Sequence, residues 1–192
     1  RRERGQLFEY STVVVWEGPS PVNGAPIVAV ITNLKDGSEN GKTDDMCQMY
    51  IFPRDSRPVE SIVNGQDAAV CGDCPLRPVA AKLAKAAGED AVPCYVNKGW
   101  LGRLWDSIPN LPRVSPEEVG KFLKRTGLEF REGAWGDPAT VPMRVRRLLN
   151  VGRGTSYTHQ WDTDWIDTDV RDFSMASVQT VDEKNAANAA GF

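Results

Sequence analysis

Short apolar runs recur in the first third of the chain: residues 12–16 and 27–32 are rich in β-branched residues, and residues 46–52 alternate loosely between apolar and polar positions. Such runs, separated by segments rich in Gly, Pro and Asn, are typical of strands. The polar stretch 35–45 is dense in turn formers and predicts a loop, and residues 53–65 predict a second irregular connection. Residues 1–66 are therefore expected to form a small antiparallel sheet with long loops.

After residue 66 the pattern changes to predicted helices that alternate with predicted strands. The helices are expected at 78–87 and 100–105, after the capping box at 115–118, through 144–148, and from 180 to 191. The strands are expected around Cys94 and at 128–134, 155–160 and 173–178. This alternation indicates parallel βαβ units. We predict an α/β fold: residues 67–192 form a partial parallel βα barrel-like sheet, residues 1–66 form an antiparallel elaboration, and both belong to one compact domain.

Composition narrows the class of protein. The 192 residues are 41% hydrophobic and 26% charged, as in ordinary globular proteins. An apolar run of about eighteen residues is missing, so no membrane span is expected, and the N-terminus lacks a secretory signal pattern. Four unevenly spaced cysteines fit a reducing compartment, so we expect the cytoplasm. The net charge of −3 provides no overall attraction to nucleic acid, and the oligomeric state stays open.

The densest chemical signal is Cys71-Gly72-Asp73-Cys74-Pro75, followed by Cys94. A turn that brings two sulfurs together, with a third returned by an intervening helix, is typical of soft-metal and iron–sulfur sites. We therefore expect Cys71, Cys74 and Cys94 to bind a 4Fe-4S cluster or a zinc ion. The alternatives are a disulfide, inert core cysteines, or a redox pair of the C-x-x-C type.

The fourth ligand position is undecided by the sequence. His159 is the only histidine, which excludes metal sites that need two, but it would complete a Cys₃His zinc site. A histidine packed within a strand is the simpler interpretation. Cys47 competes for the position from the third strand, where a buried structural cysteine is equally consistent with its apolar surroundings. If neither binds, the position stays open to a substrate.

Four polar residues are predicted at the carboxyl ends of strands, where parallel α/β proteins bind their ligands. They are Asp137, His159, Gln160 and Ser177. We expect them to line a substrate pocket, although Asp137-Pro138 is also a common turn and Ser177 lacks the glycine elbow of serine hydrolases. Nearby tryptophans at 135, 161 and 165 favour a planar small molecule or a nucleotide as ligand.

Basic residues cluster on two predicted helices and the segment after them: Lys121, Lys124, Arg125, Arg144, Arg146, Arg147 and Arg153. Arg144 and Arg147 share a helix face while Arg146 points elsewhere, so the cluster is a partial stripe at best. A solvated helix face is the simplest interpretation. Contact with a nucleic-acid backbone is the alternative.

An ordered set of short motifs runs through most of the chain from about Asn40. The motifs are N-G-K-T at 40–43, C-G-D-C-P-L-R at 71–77, C-Y-V-N at 94–97, G-A-W-G-D-P at 133–138, Y-T-H-Q-W at 157–161 and M-A-S-V at 175–178. This set resembles a family of uncharacterised proteins of bacteriophages and bacterial mobile elements. The resemblance implies a viral source and location in the host cytoplasm, and it supports the three-cysteine site while leaving out Cys47. It implies no established reaction.

Members of that family usually continue with a further strand after the last helix, so we expect the natural chain to extend beyond Phe192. The cysteine pattern is also similar to phage families regarded as distant relatives of radical S-adenosylmethionine enzymes. The spacing departs from the C-x-x-x-C-x-x-C of those enzymes, and their chemistry is not carried over.

Two hypotheses follow from the sequence. In the first, the protein is a metalloprotein whose cysteine site serves a substrate pocket at the strand ends. In the second, a structural zinc stabilises a binding module that contacts nucleic acid or a host protein.

Overall fold

The strands of the protein form one large and one small sheet. A computed structural model describes residues 8–35, 46–88, 92–94, 96, 98–150 and 152–192. The predicted loop at 35–45 lies almost entirely outside these residues, as do the 40–43 motif and positions 95 and 97. The strands in the described residues are β1 (Val13–Pro19), β2 (Pro26–Thr32), β3 (Cys47–Pro53), β4 (Phe130–Trp135), β5 (Gly154–Thr155), β6 (Tyr157–Thr158) and β7 (Met175–Ala176).

Helices cover the sheet and connect its strands. Those in the described residues are α1 (Pro58–Asn64), α2 (Ala68–Cys71), α3 (Pro78–Ala86), α4 (Lys98–Ser107), α5 (Pro116–Thr126), α6 (Met143–Leu149) and α7 (Val181–Ala189). Short 3₁₀ helices occur at Ile108–Asn110, Pro138–Thr140 and Thr168–Asp172.

The large sheet has the order β1-β2-β3-β4-β5. Strands β1, β2 and β3 pair antiparallel, whereas β3–β4 and β4–β5 pair parallel. Strand β2 is buried along nearly its whole length, as expected for a strand covered on both faces. The predicted α/β class and the N-terminal antiparallel part are thus confirmed. Over the described residues the parallel part is an open sheet and does not close into a barrel.

The parallel part of the fold splits after β5. Phe130 and Arg131 of β4 pair with Gly154 and Thr155 of β5. The chain then leaves β4, and β6 pairs instead with β7 in a separate two-stranded parallel sheet. Arg131 to Trp135 of β4 and Tyr157 of β6 line a common cavity, which is part of the site described below.

Local sequence signals explain α5. The Ser115 side chain accepts a hydrogen bond of 3.2 Å from the Glu118 backbone amide, and Gly127 ends the helix, as predicted. Val119, Phe122 and Leu123 are buried against the sheet. The cap contributes about 1 kcal/mol, so most of the stability of this helix comes from its apolar face.

Other predicted elements differ from the structure. Residues 58–64 form α1 instead of an irregular connection, because Pro58 starts the helix and Gly65 ends it. Cys94 lies in an irregular segment rather than in a strand. The strand predicted at 155–160 is divided between β5, which ends at Thr155, and β6, and the strand predicted at 173–178 is reduced to the two residues of β7.

One hydrophobic core unites the two predicted regions, because its buried residues extend from Phe8 to Leu149. A smaller cluster of Ala139, Met143 and Val170 packs with Trp165 and Phe173. Among the described helices none is long and apolar enough to cross a bilayer.

Candidate functional site

Two backbone turns shape the cysteine segment. Helix α2 ends at Cys71, and Gly72 adopts a φ of 54° that side chains rarely tolerate. The Cys74 amide then donates to the Cys71 carbonyl at 3.2 Å. Beyond α3, the Cys94 amide donates to the Leu76 carbonyl at 2.7 Å, which returns the third cysteine to the segment.

The three thiols line two adjoining cavities. The smaller cavity, about 30 Å³, is bounded by Cys71, Cys74 and Cys94 together with Arg77 and Trp135. The larger cavity, about 290 Å³, shares the same three cysteines. All three are free thiols, so the disulfide alternative is not realised here.

The thiols converge without forming a complete ligand set. Among the residues that the structure describes, no group of three or more His, Cys, Asp or Glu side chains lies close enough together to hold a metal ion. The fold therefore delivers the three cysteines to one cavity, and coordination would require a closer approach of their sulfurs.

Burial dominates the acid–base behaviour of the thiols. It raises the pKa of Cys71 well above its ordinary value, and the charge of Asp67 acts in the same direction. Burial also raises the pKa of Cys74 to about 11, although hydrogen bonds from the backbone of Leu76 and Arg77 oppose the shift. Both groups are neutral thiols near pH 7, which disfavours a nucleophilic redox pair because that chemistry needs a thiolate.

Asp137 follows β4 and is a buried cross-link. Its carboxylate accepts hydrogen bonds from the Ala139 amide at 3.0 Å, the Thr158 hydroxyl at 2.8 Å and the His159 amide at 2.8 Å. Its own amide donates to the Val70 carbonyl at 2.6 Å. Burial raises the pKa of Asp137 and these hydrogen bonds oppose the shift. The carboxylate thus ties the end of β4 to the end of β6.

Gln160 is fully buried and holds the cysteine segment in place. Its carboxamide accepts a hydrogen bond from the Asp73 amide at 3.0 Å and donates one to the Cys71 carbonyl at 2.9 Å. A Cβ atom at Gly72 would lie 2.6 Å from the carboxamide carbon of Gln160. Gln160 therefore positions the loop, a role that the sequence did not reveal.

His159 and Ser177 face the ligand space at the ends of β6 and β7. Both line the larger thiol cavity, with Asp137 and Tyr157. Burial lowers the pKa of His159, while the charges of Asp137 and Glu183 oppose this shift, so the imidazole is neutral near pH 7. The structure thus places Cys71, Cys74, Cys94, Asp137, His159 and Ser177 around one cavity.

A third cavity of about 560 Å³ adjoins this space and also contains His159 and Ser177 in its lining. Carboxylates of Asp73, Asp162, Asp164 and Glu183 line it, together with the indole rings of Trp161 and Trp165. Among the described residues, no lysine or arginine belongs to this lining. The negative charge disfavours ligands rich in phosphate, such as a nucleotide.

Cys47 lies away from the thiol cavities. It pairs with Phe130 at the start of the parallel strands β3 and β4, whereas Asp137 follows their far end. Its sulfur is buried and contacts the Asn33 carbonyl at 3.4 Å. The placement corrects the expectation that Cys47 competes for the fourth ligand position, and it leaves His159 as the candidate at the cavity.

The basic cluster is not a continuous exposed stripe. Arg146 is fully buried, where it pairs with Glu132 and donates hydrogen bonds to the Ser156 and Ser174 hydroxyls. Arg147 is exposed and forms an ion pair with Asp169. Arg146 thus lies off the helix face that Arg144 and Arg147 share, as the helical spacing predicts, and it is buried instead of solvated. Trp135, expected at the rim of the site, is also buried, 4% exposed, and packs on Phe52.

Comparison with protein-family models, curated proteins and solved structures found no match for this chain. The resemblance to a phage family therefore stays a prediction, and function has to be inferred from the site itself.

Proposed function

We propose that this protein is a metalloprotein in which Cys71, Cys74 and Cys94 bind a 4Fe-4S cluster or a single metal ion beside a substrate pocket. The observation that carries the proposal is that three free, half-buried thiols line one cavity beside the carboxyl end of β4. Thiolates are soft ligands that suit iron–sulfur clusters and zinc.

The chemistry of the donor set fits a cationic group. Burial raises the pKa of Cys71 and Cys74, so these neighbouring thiols need a compensating cation to ionise together near pH 7. A bound metal provides that charge and displaces the thiol protons. Backbone hydrogen bonds from Leu76 and Arg77 already favour the thiolate form of Cys74, as expected of groups that surround a metal ligand.

The surrounding polar network supports this role. Gln160 and Asp137 tie the cysteine segment to the ends of β4 and β6 through buried hydrogen bonds. These bonds hold the backbone of the cysteine segment in place, which reduces the backbone entropy that metal binding would otherwise have to overcome. The closer approach of the sulfurs that coordination requires then falls to the cysteine side chains.

The side of the site next to the acidic cavity suits a neutral or cationic ligand. His159 and Ser177 line both the thiol cavity and the adjoining acidic cavity, so a ligand between them reaches the cysteines. Neutral or cationic small molecules with a planar group are favoured, because indole rings and carboxylates form the walls. A cluster held by three cysteines leaves one iron open to such a ligand.

A structural zinc is the second candidate, since His159 lines the same cavity as the three thiols. A closed Cys₃His site has no open position, and the protein would then act as a binding module for nucleic acid or a host protein. Both candidate functions share two predictions: that the protein comes from a bacteriophage and that it is located in the host cytoplasm.

Metal content after anaerobic purification tests the proposal. We expect the wild type to contain iron and acid-labile sulfide and to show visible charge-transfer absorption. Cys94→Ser should lose the iron and the sulfide. Cys47→Ser is the matched control and retains the metal, because Cys47 lies outside the cavity. A colourless protein with one zinc per chain selects the structural candidate. Equal metal content in wild type and Cys94→Ser refutes the site assignment.

A further inference from the structure

Arg77 is the cationic side chain at the smaller thiol cavity. Its guanidinium donates to the Gly72 carbonyl at 3.1 Å, the Gly65 carbonyl at 2.9 Å and the Asp67 carboxylate at 2.7 Å. Only 15% of the side chain is exposed. These contacts fix the guanidinium in one orientation.

The Nε atom of Arg77 is different from its terminal nitrogens. It is buried and has no hydrogen-bond partner in the described structure. A buried charged donor without an acceptor is unfavourable, and such donors are uncommon in folded proteins. Arg77 lines the 30 Å³ cavity together with Cys71, Cys74 and Cys94, so sulfur atoms are acceptors that share this space besides the Asp67 carboxylate, which pairs with a terminal nitrogen of Arg77.

The charges around the small cavity also favour sulfur as the acceptor for the Arg77 Nε–H. Among the described residues that line the small cavity, Asp67 is the ionisable group besides Arg77 and the cysteines, and it already pairs with Arg77. A loaded cysteine site carries negative charge on its sulfurs, and a guanidinium N–H bonds strongly to an anionic acceptor. Hydrogen bonds to sulfur are also a recognised means of tuning thiolate metal sites.

We propose that Arg77 is a positioning residue whose Nε–H donates a hydrogen bond to a sulfur of the loaded cysteine site and thereby stabilises the thiolate form. The inference rests on the proposed metal-binding function. It assigns Arg77 two roles: its terminal nitrogens hold the loop, and its Nε tunes the site.

Anaerobic titration of the full chain with Co²⁺ separates the two roles. A site that binds Fe²⁺ generally binds Co²⁺ more tightly, and the energy of the sulfur-to-cobalt charge-transfer band reports electron density on sulfur. We expect Arg77→Lys and Arg77→Gln to shift this band to lower energy, because the sulfur loses its hydrogen bond. Affinity for Co²⁺ should fall about tenfold or more, as for other residues that support metal ligands.

Two matched variants complete the experiment. Asp67→Asn removes the ion pair but keeps Nε, so it should lower the melting temperature without moving the band to lower energy. Arg113→Lys alters an exposed pair with Glu17 and should change neither quantity. Circular dichroism checks folding, and Arg77→Lys keeps the charge if Arg77→Gln fails to fold.

The outcomes distinguish the inference from the proposed function. A band that keeps its wild-type energy in both Arg77 variants overturns the inference and leaves a purely structural arginine. A shift of Asp67→Asn equal to that of Arg77→Lys also overturns it, because the ion pair would then be responsible. Absence of any cobalt–thiolate band in the wild type overturns the proposed function itself.

Discussion

The contact between Gly72 and Gln160 makes the sharpest test of how the site is built. Gly72→Ala places a methyl group against the buried carboxamide that holds the cysteine segment. Gln160→Ala removes that carboxamide and leaves space for the methyl group. The two substitutions should therefore be strongly coupled.

The magnitudes follow from the hydrogen bonds and the backbone. Expelling the carboxamide breaks the bonds to Asp73 and Cys71, of 3.0 and 2.9 Å, and leaves buried groups unpaired, which costs about 2–4 kcal/mol. The φ of 54° at Gly72 adds about 1–3 kcal/mol of strain for alanine. In the Gln160→Ala background only the strain remains, so the coupling energy should be about 2 kcal/mol or more.

Urea denaturation of the two single variants, the double variant and the wild type measures this coupling. Gly24→Ala is the matched control, because Gly24 also has a positive φ but a Cβ atom there meets no neighbour within 4 Å. Its cost should be the same with and without Gln160. The losses of unfolding free energy in Gly72→Ala and Gln160→Ala are compared with the loss in the double variant. If they add within about 0.5 kcal/mol, the Gln160 carboxamide does not hold the cysteine segment as proposed.

Two further outcomes follow from burial. Because burial raises the pKa of Cys71 and Cys74 in the folded state, the latter to about 11, the unfolded chain releases these protons first. For each of the two thiols, the free energy of unfolding of the metal-free protein should then fall by about 1.4 kcal/mol per pH unit above pH ~9. The same dependence on pH in a Cys71→Ser/Cys74→Ser variant contradicts this. Arg146→Met should destabilise the fold by about 3–5 kcal/mol, since it leaves the Glu132 carboxylate buried and unpaired. Thermal melts provide the comparison with Arg147→Met, where the exposed ion pair is worth at most about 1 kcal/mol.

Local sequence signals were sufficient for much of the fold. The β-branched runs predicted β1 and β2, and the loose alternation at 46–52 predicted β3. The capping residues Ser115 and Thr180 predicted the starts of α5 and α7. These features depend on hydrogen bonds and side-chain periodicity within a few residues, which the sequence displays directly. The spacing of the cysteines likewise indicated a shared site, since a C-x-x-C turn brings two sulfurs together by local geometry alone.

The surroundings of those cysteines depend on contacts between distant parts of the chain. Gln160 contacts Cys71 across 89 positions of sequence, and Arg146 contacts Ser174 across 28. Glutamine and arginine are ordinarily surface residues, so nothing in their local pattern predicted burial. Local sequence thus specified the strands, the helix caps and the three-thiol motif. The tertiary structure paired β5 with β4 and β6 with β7, and it placed residues of β4 and β6 around the cavity that the three thiols line. Such pairing could not be predicted, because strand partners depend on packing between distant segments.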